Sequence, residues 1–403
     1  MTSVEISLLL AVITMPYSYL WNSYSIVLFS ILAFFSNSWQ NKINNIRRKP
    51  FFLIWPAILY SWMALSLVWD HGSKSTACII EGLEGGISWL VLPLVFSFVN
   101  TFDPNSIRKI LFAFVASIIA GSFYCLYQAY WDYSSTHYIN FFFYHHLSAH
   151  IGISAIYYSM YCVFGIYILL FYFHFTPQSR TARFYSMLLI AWLVLFIMLL
   201  SSKTLIFLLY ISAAIFTVYA IYYYRSRWGI MIMMLLLITI PILLIKFPYV
   251  NARVRDTQIK EYSGPADNQN GLAVRGVLWE SSWNLITQKP TFGWGKYGAQ
   301  EALQRQYMQM GFVEGQKGNY NSHNQYIYTW LCFGLIGLLL LFVYFARLFR
   351  FFVRSKEILG ISLVLLFLLA NITECMLEVQ KGIVFIMLFG NLFLFHPLRL
   401  KLK

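Results

Sequence analysis

Apolar runs of bilayer length recur along almost the whole chain, separated by short polar breaks, and that recurrence leaves few folds open. A hydrocarbon core demands roughly 20 apolar residues per helix. Read this way, the chain predicts about twelve spans, near residues 5–21, 23–39, 51–69, 87–100, 110–130, 151–174, 185–201, 204–223, 229–247, 325–346, 358–373 and 382–396. Composition agrees: 59% of the 403 residues are hydrophobic and only 11% are charged, which excludes an ordinary soluble chain of that length. The expected fold class is an all-α polytopic membrane protein. The first run begins near Ile6 without a basic n-region or a small-residue cleavage site, so it is expected to remain as a helix.

A net charge of +14 would raise the question of nucleic acid in a soluble protein, but here the basic residues cluster in alternate loops. Lys42, Arg47, Arg48 and Lys49 form one cluster; Arg108 and Lys109, Arg180 and Arg183, Arg225 and Arg227, Arg347 to Lys356, and Arg399 to Lys403 form the others. The intervening short loops carry a single Lys (Lys74, Lys203, Lys381) or none. The positive-inside rule therefore puts both termini in the cytoplasm and absorbs the excess charge as topology, with no nucleic-acid partner implied. Four parts are expected: transmembrane helices over 1–247, an external loop with amphipathic helices over 248–324, three more spans over 325–396, and a basic cytoplasmic tail over 397–403. The five cysteines show no CxxC spacing and read as small core residues. No internal repeat is visible, which weighs against a transporter or flippase built from two equivalent bundles.

Within the external loop, Ala273 to Gln288 sets Val274, Val277, Leu278, Leu285 and Ile286 near one face of a helical wheel. Lys289-Pro290 stops that helix, a Gly-rich turn follows, and a second helix is expected over 299–310. The stretch Asn319 to Leu341 then passes from wholly polar to wholly apolar with His323 at the junction. Ser322 and Gln325 have capping-box spacing, so the next helix is expected to start at Ser322, with His323 and Asn324 in its first turn. A helix N-terminus favours a neutral imidazole and attracts anions, a suitable place for a base beside an anionic leaving group. The same position suits a histidine that only anchors the span.

Other candidates also admit two readings. Arg275, one turn before Trp279, is either a solvated surface residue or a fork for phosphate oxygens. Lys203, in a tight turn between two apolar runs, is either a snorkelling anchor or a ligand for an anion. Glu374 and Glu378, spaced i, i+4, would share a helix face, positioning a sugar hydroxyl or pairing with Lys381. His146 and His150 could share a helical face as metal ligands, but no carboxylate or Cys accompanies them at ligand spacing, and an aromatic-rich interfacial loop fits better. Walker, H-E-x-x-H and G-x-S-x-G motifs are absent from the sequence.

From about Leu199 to Leu394 the chain resembles the membrane-embedded O-antigen ligases and O-antigen polymerases. The resemblance rests on ordered motifs: Ser202-Lys203; Arg275-x-x-x-Trp279; Lys289-Pro290-Thr291-Phe292-Gly293-Trp294-Gly295; Ser322-His323-Asn324-Gln325-Tyr326; Phe333-Gly334-Leu335-Ile336-Gly337; and Glu374 before Gly382. It implies a GT-C-like bundle of about twelve helices under a periplasmic loop, in a bacterial inner membrane. It also implies transfer of a glycan from an undecaprenyl diphosphate carrier to lipid A core or a growing glycan, with no cofactor and no required metal. By position, His323 and Arg275 would be catalytic, with Lys203, Asn324, Glu374 and Trp279 binding substrate. Lys203 stands where the family often has Arg, keeping the charge but losing the planar fork. Ligation to lipid A core is the favoured function; polymerisation is the alternative within the family, and a transporter or flippase the alternative outside it.

Overall fold

The computed structural model describes residues 1–72, 75–175, 179–212 and 271–398. Among these residues there is no strand. The helices in order are α1 (Ser3–Thr14), α2 (Tyr19–Phe35), α3 (Trp39–Arg48), α4 (Phe51–Leu65), α5 (Thr76–Gly86), α6 (Ser88–Phe98), α7 (Pro104–Thr136), α8 (Tyr144–Ser148), α9 (Ala155–Phe175), α10 (Arg180–Leu200), α11 (Lys203–Ser212), α12 (Gly271–Ile286), α13 (Lys296–Gln309), α14 (Val313–Lys317), α15 (Gln325–Ser355), α16 (Ile358–Ala370) and α17 (Gln380–Phe395).

Among the described residues, five stretches are long and apolar enough to cross a membrane, namely Phe51–Val68, Pro104–Thr136, Ala155–Phe173, Arg180–Leu200 and Gln325–Ser355; α2 and α3 together form a bent pair that reaches the same length only if counted as one broken span. This is the make-up of a polytopic membrane protein. Most of the expected span 204–223, all of 229–247 and the first part of the external loop, 248–270, lie outside the described residues. So do Lys74, Arg225, Arg227, Arg399, Lys401 and Lys403.

Two expectations near the N-terminus change. The first span is shorter than 5–21: α1 covers 12 residues, started by a capping box in which Glu5 N donates to Thr2 Oγ1 and Thr2 N to Glu5 Oε2. The second run ends in a 111° bend into α3. Ser38 caps α3 by accepting from Asn41 N, and the helix behind it carries Asn41, Lys42, Asn44, Asn45, Arg47 and Arg48, too polar for a hydrocarbon core.

The described chain falls into two compact units. Of the described residues, one takes in Met1–Met15, Tyr19–Ile110 and the C-terminal part from Gly271. At its centre α17 buries every residue from Lys381 to Leu394, which explains a sequence apolar on all faces. The other takes in Pro16–Ser18 and the described residues from Leu111 to Ser212, and packs α9 on α10. There Tyr158, fully buried, donates its hydroxyl to Ile118 O at 2.7 Å. His146 and His150 do not share a helical face, because α8 stops at Ser148 and a 3-10 turn, Ala149–Ile151, carries His150 instead to Asp132 Oδ2 at 2.6 Å.

The motif pair Lys289 to Gly295 and Phe333 to Gly337 has a single structural cause. Helix α15 is broken at Gly334, whose φ of 69° and ψ of −176° are open only to glycine. The break frees carbonyls that the loop after α12 and a side chain of α4 satisfy: from the loop, Trp294 N donates to Leu331 O and Gly295 N to Cys332 O, both at 2.9 Å, and from α4 Trp62 Nε1 donates to Phe333 O at 3.0 Å. In return Leu335 N donates to Pro290 O at 2.9 Å. The loop comes so close that a Cβ on Gly334 would lie 1.9 Å from Thr291 O, and one on Gly293 2.6 Å from Cys332 O. Gly334→Ala is expected to destabilise the protein by more than the roughly 1–3 kcal/mol of backbone strain alone, read as a lower thermal-unfolding midpoint and reduced yield of folded protein in membranes.

Candidate functional site

The apolar residues of α12 meet in one core: Leu278, Leu285 and Ile286 are buried and Val274 and Val277 pack against the same cluster, which also contains Leu303, Tyr307 and Phe312 beyond the turn, although Ser281 and Ser282 are buried on the helix as well and Trp283 is exposed. Arg275, near the start of α12, lies beside the turn that follows α16. Its Nη2 lies 3.9 Å from Glu374 Oε1 and 3.5 Å from Thr373 O. Both contacts are long for charge-assisted pairs, and a quarter of the Arg275 side chain is exposed, so an incoming anion can compete for the guanidinium.

Glu374 bridges. Its other oxygen, Oε2, is 3.3 Å from His323 Nδ1. In the neutral ring, donation from Nδ1–H to Glu374 leaves the lone pair on Nε2. Three side chains from three separate segments thus form one row, Arg275, Glu374, His323, with His323 the most exposed at 31%.

The local chemistry at His323 differs from the capping-box expectation. The N-cap of α15 is Asn324, whose Oδ1 accepts from Tyr326 N at 3.0 Å and Ile327 N at 3.1 Å. Ser322 is drawn away from that role by Ser282, its Oγ 2.7 Å from Ser282 Oγ and completely buried. His323 therefore precedes the helix, in a left-handed conformation with φ 43° that is held by Asn321 Oδ1 accepting from His323 N at 2.9 Å. Among the described residues five other non-glycine positions share this uncommon conformation, two of them, Ser201 and Lys356, as helix C-caps. The Ser282–Ser322 pair ties the His323 turn to the helix that carries Arg275.

Glu374 and Glu378 do not share a helix face. Helix α16 ends at Ala370, and a turn followed by the 3-10 segment Met376–Glu378 separates the two carboxylates. Glu378 goes to Lys296 Nζ at 3.2 Å, while Lys381 lies over the Tyr19 ring at 4.5 Å. Trp279 packs against the core, its buried Nε1 without a hydrogen-bond partner among the described residues. Lys203 opens α11 in the second unit, following Ser201 in a left-handed C-cap. Ser282, Asn321 and Lys296 were missed by sequence reasoning; of these only Asn321, a turn-forming residue two before His323, carries a local signal.

Residues 188–342 match the family model described as O-antigen ligase. That match supports a place for the chain in the family of O-antigen ligases and polymerases. No curated protein matches the chain. The O-antigen ligase match takes in Lys203, Arg275, Trp279, His323, Asn324 and the Gly334 break, and stops short of Glu374. Ligation or polymerisation of glycans in a membrane is the activity class that this family indicates.

Proposed function

We propose that the protein is a membrane glycosyltransferase that moves a glycan from an undecaprenyl diphosphate carrier to an acceptor hydroxyl at the periplasmic face of a bacterial inner membrane. The acceptor is lipid A core, making the protein an O-antigen ligase of lipopolysaccharide biosynthesis. The observation that carries this reading is the row of His323, Glu374 and Arg275, a base oriented by a carboxylate and set beside a guanidinium.

In this mechanism His323 Nε2 takes the proton of the acceptor hydroxyl while its oxygen attacks the anomeric carbon. The anomeric C–O bond to the diphosphate breaks, and undecaprenyl diphosphate leaves with the electron pair. Arg275 exchanges its long contacts for the phosphate oxygens and stabilises that charge. Glu374 keeps the imidazole ring oriented and stabilises its cation, which then returns the proton to solvent. Asn324 and Trp279 hold the turn and the helix that bear these groups, and Lys203 is assigned to donor phosphate on the family resemblance. No step calls on a metal ion.

Deleting the gene tests the reading. The ligase reading expects lipopolysaccharide stripped of all long glycan, with carrier-linked polymer accumulating. A single repeat unit still attached to lipid A core assigns the polymerase role instead, and unchanged surface glycans overturn both.

A further inference from the structure

We propose that Lys296 and Glu378 are positioning residues of this site: their ion pair holds the turn that presents Glu374, and through Glu374 it sets the ring of His323. The inference rests on the glycosyltransferase reading above.

Glu374 stands in a turn, beyond the end of a helix, so the aim of its carboxylate depends on what holds the chain from Asn371 to Glu378. On the N-terminal side, Gln325 N donates to Asn371 O at 2.9 Å and Met376 N to Asn371 Oδ1 at 3.3 Å. In the middle, Leu377 N donates to Gln325 Oε1 at 2.7 Å, and Gln325 is braced by its own Nε2 on Thr329 Oγ1 at 3.1 Å. These bonds fasten the turn to the start of α15, two residues after His323. The C-terminal side is held by the Lys296–Glu378 pair at 3.2 Å, with only 25% and 14% of the two side chains exposed.

Lys296 is itself well anchored, being the first residue of α13. The N-terminus of α13 has no side-chain cap of its own and is capped from a distance by Asp70, which accepts from Tyr297 N at 2.8 Å and Gly298 N at 2.7 Å. Glu378 beside it holds the Lys296 ammonium above the usual lysine range, against the effect of burial, so the lysine keeps its charge. A partly desolvated ion pair between two anchored elements has little freedom to slip. That property suits a brace for a catalytic carboxylate better than it suits a source of stability.

The test is glycan transfer by the full-length protein in reconstituted membranes, with undecaprenyl diphosphate-linked donor and lipid A core acceptor. Glu378→Gln and Lys296→Met are each expected to lower kcat by roughly 10–100-fold, since about 1 Å of misplacement can have that effect, while KM for the donor stays within about twofold. Lys296→Arg, which keeps the cation, is expected to recover most of the loss seen with Lys296→Met. In a Glu374→Ala background Glu378→Gln should cause no further loss, because both act through one carboxylate. Full multiplication of the two effects, or wild-type kcat in both single variants, would overturn the proposal. If a single variant does not fold, the charge-swapped protein Lys296→Glu/Glu378→Lys decides: folded with transfer restored supports the brace, folded without transfer refutes it. Wild-type transfer by Glu374→Ala alone would instead remove the mechanism on which the brace depends.

Discussion

Replacing His323 by Gln is expected to lower glycan transfer by roughly 10²–10⁴, the usual loss when a general base is removed, with donor binding retained. An anchoring histidine at a helix entrance would tolerate a polar or aromatic substitute, so Gln and Tyr variants would both remain active in that case. The arrangement argues against an anchor. His323 lies outside the helix, in a left-handed conformation that Asn321 must hold, with one ring nitrogen turned to Glu374 and the Tyr320 ring edge-on at 5.4 Å. The assay is transfer from purified undecaprenyl diphosphate donor at matched protein levels, with chelator present throughout. Near-normal turnover in both variants would take His323 out of the mechanism.

Arg275→Ala is expected to reduce transfer by roughly 10²–10³, the scale seen when one preorganised group opposite developing negative charge is lost. Arg275→Lys should recover little, because an ammonium cannot hold two phosphate oxygens in the planar fork of a guanidinium. Lys203→Arg should be tolerated. Removing the guanidinium also takes from Glu374 the charge that faces it opposite His323, so binding of donor and the chemical step must be measured separately. Full transfer by a normally expressed Arg275→Ala protein would refute the phosphate clamp.

Much of the architecture was legible because burial in lipid imposes a simple rule on composition. The starts of α9, α15 and α16 fall within a few residues of their apolar runs, and the apolar residues read on α12 from Val274 to Ile286 meet in one core. Reading failed where a short-range signal met a tertiary competitor. Ser322 has the spacing of a capping residue, but a serine hydroxyl is as well satisfied by Ser282, 40 residues away, and Asn324 makes two bonds to the helix where Ser322 could make one. The i, i+4 spacing of Glu374 and Glu378 likewise implied a shared face only while the helix was assumed to continue past Ala370.

By itself, then, the order of residues determined the helical membrane class and the choice of His323 and Arg275 as candidates, because hydrophobicity and motif order are properties of neighbouring residues. Only the tertiary structure decided that Glu374, 51 residues from His323, is its partner and faces Arg275 with its other oxygen. The same holds for the broken helix at Gly334, whose freed carbonyls are met by a loop about 40 residues earlier in the chain. Ion pairs and backbone satisfaction across such distances depend on where turns converge after the helices pack, and no local pattern carries that information.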